Sequence, residues 1–496
     1  MDRDLIEHFL GDSTREAEPP EGSYSGTAGG APCGDLMRIS IVVEDGRIAA
    51  VTRASEGCAV ARAASAAVAD AIDGLDVIEA ARIDEQSVSD LLGGLAPTHW
   101  HAAELAVDSL ARALSVAVGS ETSLSDPPSG SERVLLALSG GVDSGLAAVL
   151  AQDRGAEVAA VTLKLWQDPL NDGERSCCSP EAVLRARRLA HSLGLAHFTL
   201  DLRDEFDREV VGRFNAGYAS GRTPNPCVIC NGDVRIDAMI DLADRIGATH
   251  LVTGHYARVA DDGDGPLLAR PGDLDKDQTH MLAKLEPESV ARLELPLADL
   301  TKAEVRRLAA EAALPVAAQP ESQDLCFLAG EEKVDFLRRH GGVEDRIGDI
   351  VTVEGEVIGT HRGHHRYTVG QRRGLGLGGG TPLFVLGVDA EQNRIIVGPR
   401  EQLAQSRVHL SDCNLYREMS RIDSVRLRSH QEPIRCSAMT GSGPSDLELD
   451  LVTPALGVAP GQSATLYSGD LVVGQGTIEA SPLRLEQLQS MATASR

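Results

Sequence analysis

Residues 133–150, RVLLALSGGVDSGLAAVL, constrain the fold of this chain more than any other stretch. Residues 134–138 are an apolar run with the length of a buried strand, and a helix is expected from Gly145 onward. Residues 139–144 form a tight turn that contains two glycines, Gly140 and Gly141. Glycines let the backbone approach an oxyanion, and the free N–H groups of the first helical turn point towards it. The stretch therefore predicts an anion-binding loop.

The glycine spacing separates this loop from two other phosphate-binding loops. It lacks the GxGxxG pattern of dinucleotide-binding domains, and no GK[ST] follows as in a Walker loop. The sequence SGGVDS resembles instead the PP-loop of the ATP pyrophosphatases, which adenylate a carbonyl oxygen and release pyrophosphate. This resemblance implies ATP as the cofactor, and Mg²⁺ beside its phosphates.

The length and composition predict several cytoplasmic domains. A chain of 496 residues is too long for one ordinary domain, and three or four are expected. No apolar run approaches the length of a membrane span, and the acidic first residues are unlike a signal peptide. We therefore expect a soluble cytoplasmic protein without a membrane partner.

The charge distribution leaves room for a nucleic-acid partner. The net charge is −27, whereas phosphate contacts require Lys and Arg. Residues 1–130, however, hold 22 acidic side chains against 8 arginines, which accounts for −14 of that charge. Half of the acidic excess thus lies in the first quarter of the chain, which need not contact nucleic acid.

The cysteine pattern points to metal or sulfur chemistry. The chain has nine cysteines, an odd number, and several stand in CC and CxxC clusters. In a reducing compartment such clusters favour metal binding or sulfur transfer over a framework of disulfides.

Residues 1–120 are expected to form an α+β module. Two strands flank a turn at residues 44–46, and alanine-rich helical patterns follow. The PCGD, GC and HxxxLAxD patterns resemble the NifU/IscU-type iron–sulfur scaffold, which implies the metal ligands Cys33, Asp35, Cys58 and His101. Ala102 stands where that family has its third cysteine. The module either holds zinc or a labile cluster on the remaining ligands, or serves to dock a sulfur donor.

Residues 121–132 have the composition of a linker, and residues 133–330 predict an α/β domain with a parallel sheet. Apolar strands at 157–166, 196–200 and 250–253 alternate with helices, so ligands are expected beyond the carboxyl ends of the strands. In the helix at 181–193, Arg185, Arg187 and Arg188 are interpreted as a solvent-facing basic surface.

Motifs in this domain and beyond resemble the bacterial tRNA-specific 2-thiouridylase (MnmA/TrmU) family. They are GRTPNPCVICN at 221–231, TGHYAR at 253–258, KDQ at 276–278 and ESQDLCF at 321–327, together with SGGVDS. The resemblance covers the chain from about residue 132 to its end. It implies an adenine nucleotide alpha hydrolase-like fold that adenylates O2 of the wobble uridine of tRNA and then replaces this oxygen with sulfur.

The resemblance also implies roles for individual residues. The nucleophile is Cys230, the persulfide cysteine is Cys326, and Asp143 fixes the loop or Mg²⁺. The implied ATP site comprises Ala137, Leu138, Ser139, Gly140, Gly141, Val142, Asp143, Ser144, Leu163 and Gly254. The implied tRNA contacts are Asn225, Pro226, Cys227, His255, Lys276, Asp277, Gln278, Arg428, Ser429 and Gln462.

Cys227 leaves the sulfur chemistry open. Much of the family has Asp at this position, whereas here Cys227, Cys230 and Cys326 supply three thiolates. Three thiolates can hold a 4Fe-4S cluster with one open iron that delivers sulfide. The alternatives are a persulfide relay with Cys227 as a bystander, supplied by a cysteine desulfurase or a sulfur-relay protein, and a structural zinc site.

The remaining residues predict a small central domain at 331–380, a C-terminal β-barrel at 381–488 and a tail at 489–496. The stretch THRGHHRYTVGQRRG at 360–374 combines four arginines and three histidines with an aromatic residue. Such a patch suits RNA phosphates and a stacked base, with Arg366, Arg372 and Arg373 as the expected phosphate ligands. Short alternating strands separated by Gly, Asp and Asn turns indicate the barrel.

The sequence as a whole favours an ATP-dependent tRNA sulfurtransferase fused to an iron–sulfur-scaffold-like module. Two alternatives remain. One is another PP-loop adenylating enzyme that acts on a different tRNA position or a small amide, and the other is an iron–sulfur carrier without enzymatic activity.

Overall fold

A computed structural model of the chain describes residues 2–30, 34–127, 130–168, 170–171, 179–319, 325–378, 381–441, 443 and 445–480. The expected ligand Cys33 and the 489–496 tail lie outside these residues. The chain forms two compact units, one from Met1–Arg203, Asp237–His255 and Arg292–Gln323, the other from Asp204–Ile236, Tyr256–Ala291 and Asp324–Arg496. Within the described ranges, no helix has both the length and the apolar character needed to cross a membrane.

The N-terminal part of the first unit is an α+β module, as predicted. Its elements are α1 Arg3–Gly11, β1 Tyr24–Gly29, β2 Leu36–Glu44, β3 Arg47–Glu56, α2 Ala59–Ile72, α3 Val77–Ala80, α4 Glu85–Leu91, a 3₁₀ turn Pro97–His99 and α5 Trp100–Ser120. The strands form an antiparallel sheet in the order β1-β2-β3. Met37, Ile39 and Ile41 alternate along β2 and are fully buried, so one sheet face forms the core. α5 packs closely on β1. Gly26 permits this close packing, because a Cβ at that position would collide with the Ser109 carbonyl oxygen.

Strands and helices alternate through the middle of the chain. The elements are β4 Arg133–Ala137, α6 Val142–Asp153, β5 Glu157–Lys164, α7 Pro180–Ser192, β6 Ala196–Asp201, α8 Arg203–Phe206, a π-helix Asp207–Val211, α9 Gly212–Ala219, α10 Pro226–Ile229, a second π-helix Cys230–Arg235, α11 Ile236–Arg245, β7 His250–Val252, β8 Arg258–Asp261, β9 Pro266–Ala269, a 3₁₀ turn Leu274–Lys276, α12 Thr279–Leu282, α13 Pro287–Val290, β10 Leu293–Glu294, α14 Lys302–Glu311 and a 3₁₀ turn Cys326–Leu328.

Five of these strands confirm the predicted parallel sheet. Their order is β10-β7-β4-β5-β6, and every neighbouring pair is parallel. β4 lies between β5 and β7, which explains why Val134, Leu135 and Leu136 are all fully buried. The loop that follows β4 therefore emerges at the centre of the carboxyl edge, where α/β sheets bind ligands.

The N-terminal module covers the exposed edge of this sheet within the first unit. The backbone N–H of His197 in β6 donates to the Ala81 carbonyl oxygen at 3.1 Å, and Ser115 Oγ donates to the Thr199 carbonyl at 2.8 Å. An open strand edge invites pairing with other chains, so this cover protects the sheet.

The basic face of α7 also contacts the module. Arg187 is 5% exposed and forms an ion pair with Asp108 of α5 at 3.1 Å, while Arg188 pairs with Glu104 at 2.8 Å. The prediction that Arg187 faces solvent was wrong, because helical periodicity shows a basic face but not the acidic helix packed against it. Arg185 is exposed, as predicted.

The C-terminal part of the second unit is rich in strands. Its elements are α15 Lys333–Gly341, β11 Gly348–Val351, β12 Val357–His361, a 3₁₀ turn His364–Arg366, β13 Phe384–Asp389, β14 Arg394–Gly398, a 3₁₀ turn Arg400–Leu403, β15 Ala404–Leu415, a 3₁₀ turn Met419–Arg421, β16 Ser424–Arg426, β17 Ile434–Thr440, β18 Leu447–Leu456, β19 Ser463–Ser468 and β20 Leu471–Ile478. Six strands in the order β15-β18-β17-β16-β19-β20 close into a barrel through β15–β20 pairing, which confirms the predicted barrel.

Strand pairing differs from the expected boundaries in two places. The predicted barrel starts at residue 381 and would include β13 and β14, yet these strands join β11 and β12 in a separate sheet of order β12-β11-β14-β13. β8 and β9 lie inside the expected 133–330 domain, yet they extend the barrel sheet from β20. Short strands of alternating polarity look alike in sequence, so their partners become visible only in the folded chain.

Candidate active site

The loop between β4 and α6 has the geometry of an anion site. Gly140 has φ of +74°, a conformation that glycine adopts without strain, and Gly141 is the N-cap of α6. Among the described residues no side chain caps α6, so the N–H groups of its first turn stay available to a ligand. α6 begins at Val142, earlier than expected from Gly145, and thereby places Asp143 in the first turn.

Side chains around the loop fix its shape. Ser144 is 5% exposed; its Oγ accepts from the Ser139 N–H and donates to the Gly141 carbonyl, both at 3.2 Å. At Gly254, after β7, a Cβ would lie 2.8 Å from Ser144 N, so only glycine permits this close approach. The structure therefore brings the expected ATP residues of the loop together with Gly254. The remaining expected ATP residues are Ala137 at the end of β4, Leu138 buried in the loop, Val142 buried at the start of α6, and Leu163 buried near the end of β5.

Lys302 joins this site and was missed in the sequence analysis. Its Nζ lies 2.7 Å from both carboxylate oxygens of Asp143. Lys302 is the first residue of α14, and a capping box of Thr301 and Glu304 fixes that helical start. The T-K-x-E pattern was the available signal, because it places the lysine in the first helical turn.

Cys227 and Cys230 lie in a helical segment of the second unit. Asn225 is the N-cap of α10, and its side chain accepts from the Val228 N–H. At Cys230, which is 7% exposed, the helix widens into the π-helical turn Cys230–Arg235, a distortion frequent at functional sites. Burial raises the pKa of the Cys227 thiol, and the Arg235 guanidinium opposes this shift.

Cys326 begins a 3₁₀ turn that an aromatic cluster holds in place. The neighbouring Phe327 is 3% exposed, and its ring centroid lies 5.9 Å from that of Phe206 and 5.1 Å from those of Phe214 and Phe336. Cys326 itself is partly exposed. The cluster thus anchors a cysteine that remains accessible to reagents.

The three cysteines are not assembled around a single metal ion. The described groups of His, Cys, Asp and Glu whose ligand atoms all lie within 4.8 Å of one another do not include Cys227, Cys230 and Cys326. None of the three forms a disulfide bond among the described residues. The arrangement therefore provides no preformed site for the structural zinc considered above.

Asp35, Cys58 and His101 do converge in the N-terminal module. Asp35 Oδ2 lies 3.4 Å from Cys58 Sγ and 3.1 Å from His101 Nε2. Burial would raise the pKa of Asp35, but hydrogen bonds from the Cys58 N–H and thiol and from His101 outweigh it and lower the pKa. Oxygen, sulfur and nitrogen donor atoms that converge in this way fit a ligand set for zinc or iron. The neighbouring Ala102 is fully buried and supplies no ligand atom.

The expected basic patch at residues 360–374 carries fewer positive charges than its composition suggested. His361 and His365 are 4% and 2% exposed, and burial lowers the pKa of both, to about 4 for His365, so they are neutral at physiological pH. Counting them as part of a positive surface was wrong, because their backbone and side-chain neighbours enclose them. Arg366 is engaged by Asp345 at 2.6 Å. Arg372 and Arg373 are exposed and make no ion pair within the described part of the chain.

Two of the expected RNA contacts use their side chains inside the protein. The Asp277 carboxylate is 2% exposed and accepts from Arg426 Nη2 at 2.6 Å and Arg270 Nε at 3.0 Å. Two arginines thus neutralise this buried carboxylate. Gln462 Nε2 donates to the Thr223 carbonyl at 2.7 Å.

The other expected RNA contacts differ from one another in hydrogen bonding and in exposure. Gln278 accepts from the Tyr256 N–H at 2.8 Å, His255 contacts the Thr253 hydroxyl at 2.9 Å, and Arg428 donates to the Gly457 carbonyl. Partly exposed members of this set are Asn225, Cys227, Lys276 and Ser429, whereas Pro226 is buried.

Four family models match this chain, one each in the N-terminal module, the parallel-sheet domain, the four-stranded sheet and the barrel. Family models match at residues 7–119 (NifU-like N terminal domain), 132–330 (tRNA methyl transferase HUP domain), 334–399 (tRNA methyl transferase PRC-barrel domain) and 404–478 (aminomethyltransferase beta-barrel domain). The matched boundaries agree with the separate four-stranded sheet and with the barrel starting at β15.

Three relatives cover between 70% and 96% of this chain. A bifunctional protein NifU/MnmA of Rubrobacter xylanophilus is 43% identical over 487 residues, 96% of this chain and 97% of that protein. The tRNA-specific 2-thiouridylase MnmA of Moorella thermoacetica is 41% identical over 70% of this chain and 99% of its own length. That of Thermobifida fusca is 42% identical over 72% of this chain and 97% of its own.

The fold and the nucleotide loop thus define a PP-loop ATP-utilising enzyme fused to a NifU-like module. The chain belongs to the tRNA-specific 2-thiouridylase family, in the bifunctional NifU/MnmA form.

Proposed function

We propose that the protein catalyses ATP-dependent 2-thiolation of the wobble uridine of tRNA. The observation that carries this proposal is the uncapped first turn of α6 with Asp143 and Lys302 beside it. N–H groups, an ammonium and a carboxylate suit the phosphates of ATP and a bound Mg²⁺. Membership of the 2-thiouridylase family supports the choice of reaction.

The first step is adenylation. O2 of the uracil attacks the α-phosphorus of ATP, a C–O–P linkage to AMP forms, and the bond to pyrophosphate breaks. The N–H groups at the α6 N-terminus hold the departing pyrophosphate, and Lys302 offsets its negative charge. Asp143 would hold Mg²⁺, which would supply further charge neutralisation. Leu163, at the end of β5, packs against the nucleobase.

The second step is sulfur transfer. The terminal sulfur of a persulfide on Cys326 adds to C2 of the adenylated uracil, and AMP leaves. The Cys230 thiolate then attacks Cys326 Sγ, which releases the thiouridine and forms a Cys230–Cys326 disulfide. A dithiol reductant regenerates both thiols, and a cysteine desulfurase or sulfur-relay protein reloads the persulfide. A thiolate is required because it is a soft nucleophile that can carry sulfur.

The test of this function supplies purified protein with ATP, tRNA, a cysteine desulfurase and labelled cysteine sulfur. Label is expected in 2-thiouridine at the wobble position, with one AMP formed for each sulfur incorporated. AMP formation without thiolated wobble uridine would show another PP-loop adenylating enzyme, and the absence of tRNA-dependent AMP would contradict enzymatic activity altogether.

Arg372 and Arg373 are proposed to bind tRNA phosphates, because they are exposed and unpaired among the described residues. Replacing both with alanine is expected to weaken tRNA binding and to reduce the slope of log K against log salt by about 2, nearly one for each phosphate that is no longer neutralised. ATP affinity should stay unchanged. Arg366→Ala is expected to change the slope less, since Arg366 is already paired with Asp345.

The control for this experiment is Arg400→Ala, which removes one exposed arginine elsewhere in the second unit. Binding titrations at several salt concentrations give the slopes. An equal slope for the double variant and the wild type would place Arg372 and Arg373 away from the RNA.

The Asp35, Cys58 and His101 group is proposed to bind a divalent metal ion, with Cys33 as a further ligand. Cys58 loses its proton on binding, so affinity should fall as pH decreases. Zinc competition against a coloured chelator measures it. Cys58→Ser should weaken zinc binding, whereas Cys413→Ser, in the barrel, should not. Equal affinity in all three proteins would indicate that the module only docks a sulfur donor.

A further inference from the structure

The peptide group that leads into the nucleotide loop is held on both sides. The Leu138 carbonyl accepts from Thr162 Oγ1 in β5 at 2.7 Å. On the other side of the same peptide, the Ser139 N–H donates to Ser144 Oγ in the first turn of α6 at 3.2 Å. The Leu138 N–H donates to the Val161 carbonyl at 2.8 Å. Because a peptide group is planar, these bonds determine its orientation and the direction in which the loop leaves β4.

A buried histidine fixes the Thr162 hydroxyl. His197 in β6 is 3% exposed, and its Nε2 lies 2.9 Å from Thr162 Oγ1. A hydroxyl has a single hydrogen, and that of Thr162 goes to the Leu138 carbonyl, so the hydroxyl must accept the His197 Nε2–H. Burial holds the pKa of His197 well below its usual value, so the ring is neutral with its proton on Nε2. The ring therefore determines the direction in which the Thr162 hydroxyl points.

The N-terminal module fixes the position of His197. The His197 backbone N–H donates to the Ala81 carbonyl at 3.1 Å. The ring lines a small cavity whose walls include the apolar side chains Val107, Leu110 and Leu114 of α5. Its Nδ1 has no hydrogen-bond partner among the described residues, so the bond to Thr162 is the one that orients the ring there. These contacts form a continuous path from the module, through β6 and β5, to the nucleotide loop.

We propose that Thr162 and His197 are positioning residues for the nucleotide loop. Thr162 orients the peptide between Leu138 and Ser139, and His197 orients the Thr162 hydroxyl. The consequence for ATP binding rests on the ATP site proposed above, whereas the effect on the loop exists without a ligand. The two are therefore measured separately.

The first measurement is hydrogen exchange of the loop amides in the full-length protein, without ATP or tRNA. Thr162→Val keeps the side-chain shape and removes the hydroxyl, so the peptide is expected to turn to a new partner and free the Ser139 N–H. Exchange in residues 138–145 should accelerate at least about fivefold, the usual worth of one net hydrogen bond. His197→Leu should have the same effect. His197→Gln should restore the wild-type rate, because its amide nitrogen is as many bonds from Cβ as imidazole Nε2.

Thr199→Val is the matched control. Thr199 lies opposite Thr162 in the β5–β6 register and is 6% exposed, and its hydroxyl makes no hydrogen bond to the loop in the described part of the chain. This variant should exchange like the wild type. The double variant Thr162→Val/His197→Leu should exchange no faster than either single variant, since both substitutions break the same path. Exchange in α2 of the N-terminal module should stay unchanged throughout.

The second measurement is ATP binding and turnover with the same proteins. Thr162→Val and His197→Leu are expected to raise the dissociation constant and the KM for ATP about fivefold, because ATP must first return the turned peptide to its productive orientation. The kcat at saturating ATP and the dissociation constant for tRNA should stay unchanged. His197→Gln and Thr199→Val should bind ATP like the wild type.

Several results would overturn the proposal. Unaltered exchange in both Thr162→Val and His197→Leu would show that the pair does not hold the loop. An equal effect of Thr199→Val would trace the change to packing of the sheet, and equal rates in His197→Gln and His197→Leu would trace it to the volume of the imidazole. Faster exchange in α2 as well would make these residues supports of the whole fold. Faster loop exchange without a change in ATP affinity would uphold the positioning and contradict the ATP site proposed above.

Discussion

Replacing Asp143 with alanine is expected to lower ATP-dependent AMP formation by about 10²–10³, the usual effect of removing one charged group that stabilises a transition state. Asp143 lies in the first turn of α6 and contacts Lys302 at 2.7 Å, so the substitution removes both the proposed Mg²⁺ ligand and this ion pair. The measurement is the rate of AMP release with saturating tRNA, followed with labelled ATP.

Asp153→Ala is the matched control, because Asp153 is exposed at the other end of the same helix. It should leave both activity and the thermal unfolding midpoint unchanged. Lys302→Met should raise the KM for ATP, since the ammonium faces the phosphates in the proposed complex. Full activity of Asp143→Ala would remove the α6 loop from the mechanism, whereas a lowered unfolding midpoint would trace its loss of activity to the fold.

Local patterns in the sequence predicted the nucleotide loop well. An apolar strand, two glycines and a helix start are determined by neighbours in the chain, and the structure has them in that order. The parallel sheet followed from the alternation of strands and helices. The barrel followed from short alternating strands, but the pairing of β13 with β14 and of β9 with β20 did not, because pairing depends on contacts between distant residues.

The residues that the sequence analysis misjudged share one physical cause. Arg187 looks like a surface charge, yet it is buried against Asp108 from a distant part of the chain. Lys302 looks like an ordinary helix residue, yet it meets Asp143 from 159 positions away. A motif identifies the residue type a reaction needs, whereas long-range packing decides which charged groups remain available to a substrate.

Replacing Cys230 or Cys326 with serine is expected to abolish catalytic thiouridine formation, while the adenylation step, followed as the first release of pyrophosphate, still occurs. A hydroxyl neither carries a persulfide nor attacks one at neutral pH, so a loss of at least about 10³ in rate is expected. The Cys230→Ser variant should also accumulate a covalent adduct in which C2 of the uridine is bound through two sulfurs to Cys326. Denaturing gels should show this adduct, and a dithiol should release it.

Cys227→Asp is the matched control, because it alters the third cysteine of the same group without touching the relay. Under the persulfide mechanism it keeps most of the activity, and neither it nor the wild type has the absorbance of an iron–sulfur cluster. A brown protein that loses colour and activity in Cys227→Asp under anaerobic conditions would instead establish sulfur delivery from a 4Fe-4S cluster on Cys227, Cys230 and Cys326. Colourless, fully active wild-type protein supplied only with a cysteine desulfurase would decide for the persulfide.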